Sequence, residues 1–202
     1  MANLIPFNKY QIQDIAQLPS HITWNQKEDL KLIIKRYHAE KKNKRNPFYL
    51  DRDLVMIEFM WLTGGRIGDI IKVKKSDFEW PTNTLNLWTH KRRKLVAITL
   101  EPEQINELDM YIRRWDNQTR KLLFHITRQQ AWRMIRMYGL KMNIQLHPHM
   151  FRHGLALHLM NQDVPIPVIS ARLGHSNIQI TMQTYMKVTP QIQRKALEGI
   201  QW

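Results

Sequence analysis

The chain has 202 residues, 43% of them hydrophobic, with 31 Lys and Arg against 17 Asp and Glu for a formal net charge of +14. That length and composition bury a core, which excludes disorder as the default, and the charge calls for a polyanionic partner, either nucleic acid or an acidic membrane surface. The absence of Cys excludes disulfides, thiolate nucleophiles and Cys-ligated zinc, no apolar run reaches the roughly 20 residues that span a bilayer, and no basic-then-apolar leader opens the chain, so a soluble, cytoplasmic protein is expected.

Residues 1–20 mix Asn, Gln, Pro and scattered apolar positions without a sustained period and read as an N-terminal arm. Thr23 and Gln26 form a capping box, and Leu30, Ile33, Ile34 and Tyr37 recur at helical spacing, which predicts a helix over 24–42 running into the basic Lys41, Lys42, Lys44 and Arg45. A second helix is predicted from about Asp51 through Leu54, Ile57, Phe59 and Leu62, stopped at Thr63-Gly64-Gly65, with a short helix over 67–73 after it. The period then changes. Residues 84–88 and 95–100 read as strands of a β-hairpin around the basic turn from His90 to Lys94. Residues 101–115 return to helix, 122–126 read as a further short strand, and Thr127 with Gln130 caps a helix to about Tyr138. Beyond Pro148, helices are predicted over 149–161, 166–173, 177–186 and 190–199, divided by Pro165, Pro167, Gly174 and Pro190. The fold class is α+β, mostly α, with a small antiparallel sheet or hairpin.

Five features bear on chemistry. Arg66 follows a Gly-Gly turn at a helix start, where free N–H groups and a forked guanidinium suit an anion, or else it pairs with Asp69 at the surface. The hairpin tip Lys91-Arg92-Arg93-Lys94 offers either a catalytic lysine or a solvated turn against phosphates. His149 and Arg152, three apart, share a helix face, a placement that suits one phosphate held between them. Metal binding by His149 and His153 is the competing reading, but Met150 stands where a zinc-type His-Glu-x-x-His needs Glu. Leu173-Gly174-His175 is a helix stop with a His beyond it, and Tyr185 sits ten residues on, as a nucleophile or as an ordinary amphipathic core residue. Alone, none of the five carries a function.

Together and in this order, Thr63-Gly-Gly-Arg66-Ile-Gly-Asp69, a hairpin lysine, His149-Met-Phe-Arg152-His153, Leu173-Gly-His175 and Tyr185 resemble the catalytic domain of the tyrosine recombinase, or phage integrase, family over about residues 21–190. The resemblance implies a mixed α and β catalytic domain enclosing duplex DNA, and strand exchange through a covalent 3′-phosphotyrosyl intermediate with no metal, nucleotide or other cofactor. It implies that Arg66 and Arg152 grip the non-bridging oxygens of the scissile phosphate, Lys91 protonates the departing 5′ oxygen, His149 accepts the tyrosine proton, His175 hydrogen-bonds the phosphoryl oxygens and Tyr185 attacks phosphorus. Lys94 is the alternative to Lys91, which is preferred because seven residues separate it from Ile98. Lys41, Lys42, Lys44, Arg45, Arg92, Arg93 and Lys94 are expected on the DNA backbone.

This division of labour suits phosphoryl transfer, which asks for alignment and neutralisation of the equatorial oxygens. A tyrosine hydroxyl, with its ordinary pKa of about 10, needs a nearby base and a cationic pocket. Gly65, Asp69 and Gly154 depart from the commoner residues of the family. About 20 residues precede the catalytic part, so a minimal member is expected: an arm over 1–20, a catalytic domain over 21–188, and a tail helix over 189–202 that docks on a neighbouring protomer or packs on its own domain. The expected partners are double-stranded DNA, three further copies in a homotetramer on it, and an accessory DNA-bending or targeting protein. Two rival readings are a type IB topoisomerase-like relaxation of one duplex and a non-catalytic DNA-binding accessory protein with the same fold.

Overall fold

The structure, a computed structural model, describes residues 20–40, 46–91, 93–115, 121–175 and 177–185, the side chains of 180 and 183–185 excepted. Helix α1 (Trp24–Glu40) opens on the expected box, with the Thr23 N–H donating to Gln26 Oε1 at 2.9 Å and the Gln26 N–H to Thr23 Oγ1 at 3.2 Å. Helix α2 (Pro47–Thr63) begins four residues before the predicted start at Asp51. The cause is local: the Asn46 side chain accepts from the Phe48 N–H at 2.9 Å and Pro47 occupies the first turn, where its missing N–H is harmless. The helix ends at Gly64, whose φ of +58° is the left-handed cap that a Cβ disfavours.

Helix α3 (Ile67–Ile70) is shorter than the predicted 67–73, because the Lys72 and Val73 N–H groups reach back only three residues, to Asp69 and Ile70, and tighten the chain out of the α-helix. The sheet holds three antiparallel strands, β1 (Phe78–Glu79), β2 (Thr84–Thr89) and β3 (Lys94–Thr99), in the order β1-β2-β3. Two residues carry no alternation to read, so β1 was invisible to patterning. Register pairs Leu85 with Ile98, Leu87 with Val96 and Thr89 with Lys94, which buries one apolar row and makes Lys94 the first residue of a strand rather than part of the turn.

Helix α4 (Pro102–Trp115) follows, and then a correction: residues 122–126 form no strand. Leu122 makes a single bridge to Lys74, and the segment is held instead by the Leu123 N–H on Val73 O and the Tyr111 hydroxyl on Leu123 O. Helices α5 (Arg128–Leu140), α6 (Pro148–Asn161), α7 (Ile166–Arg172) and α8 (Ile178–Tyr185) complete the described chain, close to their predicted bounds. The predicted 190–199 helix, nearly all of the arm, the basic run 41–45 and Arg92 lie outside the described residues.

Helix α2 is the hub, packed on α1, α4 and α6, while α7 bridges α6, α8 and β3. The main core runs from Ile22 through Met56, Ile57, Met60, Leu85, Ile98, Phe124 and Ile135 to Phe151; a smaller one joins Leu155, Leu157 and Met160 of α6 to Ile169 and Leu173. Among the described residues no helix is long and apolar enough to cross a membrane.

Candidate active site

Four turns converge where α2, α6, α7 and the sheet meet. The first is Thr63-Gly64-Gly65, which delivers Arg66. Thr63 fixes it twice, its hydroxyl donating to Phe59 O at 2.7 Å and accepting the Gly65 N–H at 3.1 Å. A Cβ on Gly65 would lie 2.7 Å from Ile70 Cδ1 and 3.1 Å from Leu87 Cδ2, so the turn rests directly on β2. Arg66 Nη1 emerges buried and without a hydrogen-bond partner among the described residues, and so does Asp69 Oδ2. The surface ion pair between these two residues is therefore not what the structure contains. Asp69, 5% exposed, uses Oδ1 to accept the backbone N–H of His90 at 3.0 Å, which ties the hairpin to α3 one residue before Lys91.

Helix α6 brings Arg152, His149 and His153. Arg152 is 6% exposed; its Nη1 donates to Gly64 O at 2.8 Å and its Nη2 to Leu173 O at 2.6 Å, so one guanidinium joins the Arg66 turn to the His175 turn. The first turn of α6 exposes the His149 ring. Partial burial of the ring, then the charges of Arg152, His147, Arg66 and Arg128, hold its pKa below the ordinary imidazole value. His153 is pushed lower, to about 4, by burial and then by His149, Arg152, His147 and His21. Among the described residues no three His, Asp or Glu side chains come together as a metal site.

The Leu173-Gly174-His175 turn packs against the hairpin: a Cβ on Gly174 would lie 2.8 Å from Val96 Cγ2 and 3.9 Å from Lys94 Cε. His175 Nδ1 lies 2.6 Å from the buried Thr181 hydroxyl, which fixes the ring against α8. Tyr185 is the last residue of α8, and its side chain lies outside the described residues. The structure thus brings Arg66, His149, Arg152 and His175 to one place; Lys91 is exposed in the hairpin turn beside it, and Arg93 is exposed with Lys91. Lys94 points its row inward, with Val96, toward Gly174.

Three contributors escaped sequence reasoning. Asp69 enters the sequence reading only as a motif position and as an alternative surface partner of Arg66, not as the hairpin tether it is. Arg128, whose charge reaches His149, stands in no motif of the sequence and is not singled out there. Arg172 donates from Nε and Nη2 to Leu62 O at 3.0 and 2.7 Å and from Nη1 to Thr99 O at 3.2 Å; the one sequence signal for it was a basic residue directly before Leu173-Gly174-His175.

A mostly helical domain with a small antiparallel sheet, in which two guanidiniums and two imidazoles come to one place, defines a class of fold and site, and comparison with known proteins gives the family. The chain belongs to the phage integrase family, whose model matches residues 26–191. It is 28% identical over 155 residues to the tyrosine recombinase XerA of Thermococcus onnurineus (strain NA1), covering 73% of this chain and 55% of that protein. It is 30% identical over 174 residues to the tyrosine recombinase XerD of Staphylococcus haemolyticus (strain JCSC1435), covering 80% of this chain and 57% of that protein. The chain therefore spans little more than half the length of these relatives. Its fold matches the XerH site-specific recombinase in a pre-cleavage complex with its difH substrate, with a TM-score of 0.69 at 18% identity over 92% of this chain and 55% of that one.

Proposed function

We propose that this protein cuts and rejoins DNA strands at specific sites through a 3′-phosphotyrosyl intermediate. The observation that carries this reading is the buried, unpartnered Nη1 of Arg66 on a turn braced by Arg152. A buried donor left without an acceptor is costly unless a ligand supplies one, and the neighbouring guanidinium and imidazoles suit an anionic phosphoryl oxygen. In this mechanism Arg66 and Arg152 neutralise the non-bridging oxygens and His175 adds a hydrogen bond. Tyr185 forms the new bond to phosphorus as His149 takes its proton, the bond from phosphorus to the 5′ oxygen breaks, and Lys91 supplies the proton that the departing oxygen needs; Lys94 is the second candidate for that proton. Religation runs the same steps in reverse with a different 5′ hydroxyl, so no external energy source enters.

The partner is double-stranded DNA, in keeping with the family and with the fold neighbour solved on its recombination substrate. The catalytic unit is residues 21–188, working in the cytoplasm as a homotetramer on two duplexes, with residues 189–202 docking between protomers and an accessory DNA-bending protein contributing to site choice. Lys41, Lys42, Lys44, Arg45, Arg92 and Arg93 contact the backbone.

The test uses nicked half-site duplexes from the DNA flanking the gene, wild type against Tyr185→Phe. A covalent adduct on a denaturing gel with wild type alone, at equal DNA affinity, is the expected result; an adduct that persists in Tyr185→Phe places the nucleophile elsewhere. Binding without any adduct on these duplexes would favour an accessory role, and relaxation of a supercoiled plasmid without partner exchange would favour the topoisomerase-like reading.

A further inference from the structure

We infer that Arg172, whose hydrogen bonds among the described residues go to backbone carbonyls and to no candidate catalytic side chain, is the positioning residue that sets the angle of the Arg66 turn; this rests on the phosphotyrosyl reading above. Leu62 O belongs to the last turn of α2, where carbonyls lack intrahelical donors and carry the negative end of the helix. Arg172 places two guanidinium N–H groups on that one oxygen and a third on Thr99 O, at the end of β3. Two residues further along the chain, Gly64 O takes its bond from Arg152, whose other arm holds Leu173 O, directly after Arg172.

Residues 62–64 and 172–173 are therefore joined by two parallel guanidinium rungs. Thr63 and the Arg152 rung hold the turn locally, at residues 63–65; the second rung fixes the end of α2 from which the turn departs against α7, and the bond to Thr99 carries the hairpin strand into the same frame. The guanidinium is well suited to this task. Burial lowers its pKa from the ordinary value, Glu101 opposing in part, yet its fork geometry, not its charge, satisfies two carbonyls from separate elements, which a lysine ammonium on a flexible stem does not reproduce. Misplacement of a phosphate-gripping group by about 1 Å is worth as much as a hundredfold in rate, so the second rung bears on catalysis through geometry alone.

The test compares wild type, Arg172→Lys and Arg172→Met. Hydrogen exchange comes first because it needs no substrate: Arg172→Met is expected to raise exchange at the amides of 64–67 and 173–175 while α4 and α5 keep wild-type protection. Unchanged exchange at both turns, or a uniform rise across the molecule, overturns the assignment. Cleavage of the nicked half-site at saturating DNA, well below the melting temperature, is expected to slow about tenfold or more in both variants, with DNA affinity within about twofold of wild type. A neutral methylphosphonate at the scissile position removes the charge that Arg66 must meet, so on that probe the variant and wild type should cleave at nearly equal rates. Equal loss on phosphate and methylphosphonate identifies a general folding defect and overturns the proposal. Failure of wild type to form any adduct would instead defeat the phosphotyrosyl reading, and the exchange result would still decide whether Arg172 sets the turn.

Discussion

His149 sits at the surface and is nevertheless biased toward the neutral imidazole, because partial desolvation and the charges of Arg152, His147, Arg66 and Arg128 all penalise its protonated form. A neutral ring is what a proton acceptor for Tyr185 requires. Cleavage should therefore fall on the acid side only as pH drops through a value below 6.5, where the ring is protonated. Arg128→Gln, which removes the smallest of the depressing charges without touching the reacting groups, should move that limb slightly upward toward the ordinary imidazole value; a single-turnover pH profile of wild type with no acid limb below 6.5 would remove His149 from the role. His153 makes a separate prediction about stability. Its folded pKa is depressed from 6.5 to about 4, so the unfolded chain binds more protons between those values; its contribution is full above pH 6.5 and is lost as pH falls toward 4. Thermal melts should decline across that window, and His153→Gln should flatten the decline.

Gly154 shows how the elements are fitted to one another. The extended segment before α1 crosses α6 there, with the Ile22 N–H on Met150 O at 3.3 Å, and a Cβ on Gly154 would lie 2.1 Å from Ile22 O and 2.8 Å from Trp61 Cζ3. Neither obstacle is the loose end of a flexible chain. Gly154→Ala should destabilise by about 1–3 kcal/mol, as overpacking does, measured by denaturant midpoint; a stability equal to wild type would mean that the segment leaves α6 freely. Helices α1, α2 and α5 are joined instead by a buried polar knot: the Tyr138 hydroxyl donates to Asp53 Oδ2 at 2.6 Å and lies 2.9 Å from His38 Nε2, while Arg52 reaches Asp53 Oδ1 at 2.6 Å. Tyr138→Phe leaves that carboxylate one donor short and should cost about 1–3 kcal/mol in the same measurement. Periodicity made the long helices legible, and the capping boxes at Thr23 and Thr127 placed their starts, because those signals are local. The start of α2 was missed although Asn46-Pro47 is a local signal, since the basic run before it reads as loop. Strand β1 and the 122–126 segment could not be read, because their conformation is decided by partners far along the chain. The same division holds in the site. Arg66, His149, Arg152, His175 and Tyr185 stand in motifs that a chain of short spacings reveals, whereas Arg172 and Asp69 act on Leu62, Thr99 and His90, contacts that exist only after folding.

Charge is divided unevenly over the whole molecule. Of 17 acidic residues, Asp163 alone lies between 117 and 197, so the carboxylates that balance the cations belong to the α1–α4 half. On α4, Arg113 and Arg114 are spoken for by Asp109 and Asp51, at 2.6 and 3.1 Å. Helix α5 has no acid at all; Arg128, Gln129, Trp132, Arg133 and Arg136 are exposed along it, with the Arg136 guanidinium 5.3 Å from the Trp132 ring centre. Arg128, at the start of this face, also contributes to the positive field at His149. Binding to duplex DNA should thus weaken steeply with salt, each neutralised phosphate adding about −0.9 to the slope of log K against log salt. The Arg133→Gln, Arg136→Gln double variant should reduce that slope by about 1–2, whereas Arg113→Gln, on a cation already met by Asp109, should leave it near wild type. An effect of Arg113→Gln half that of the double variant, equal per charge removed, would mean that DNA responds to net charge alone; a larger effect per charge from Arg113→Gln would move the interface to the α4 side and away from the turn that Arg66, Arg152 and Arg172 build together.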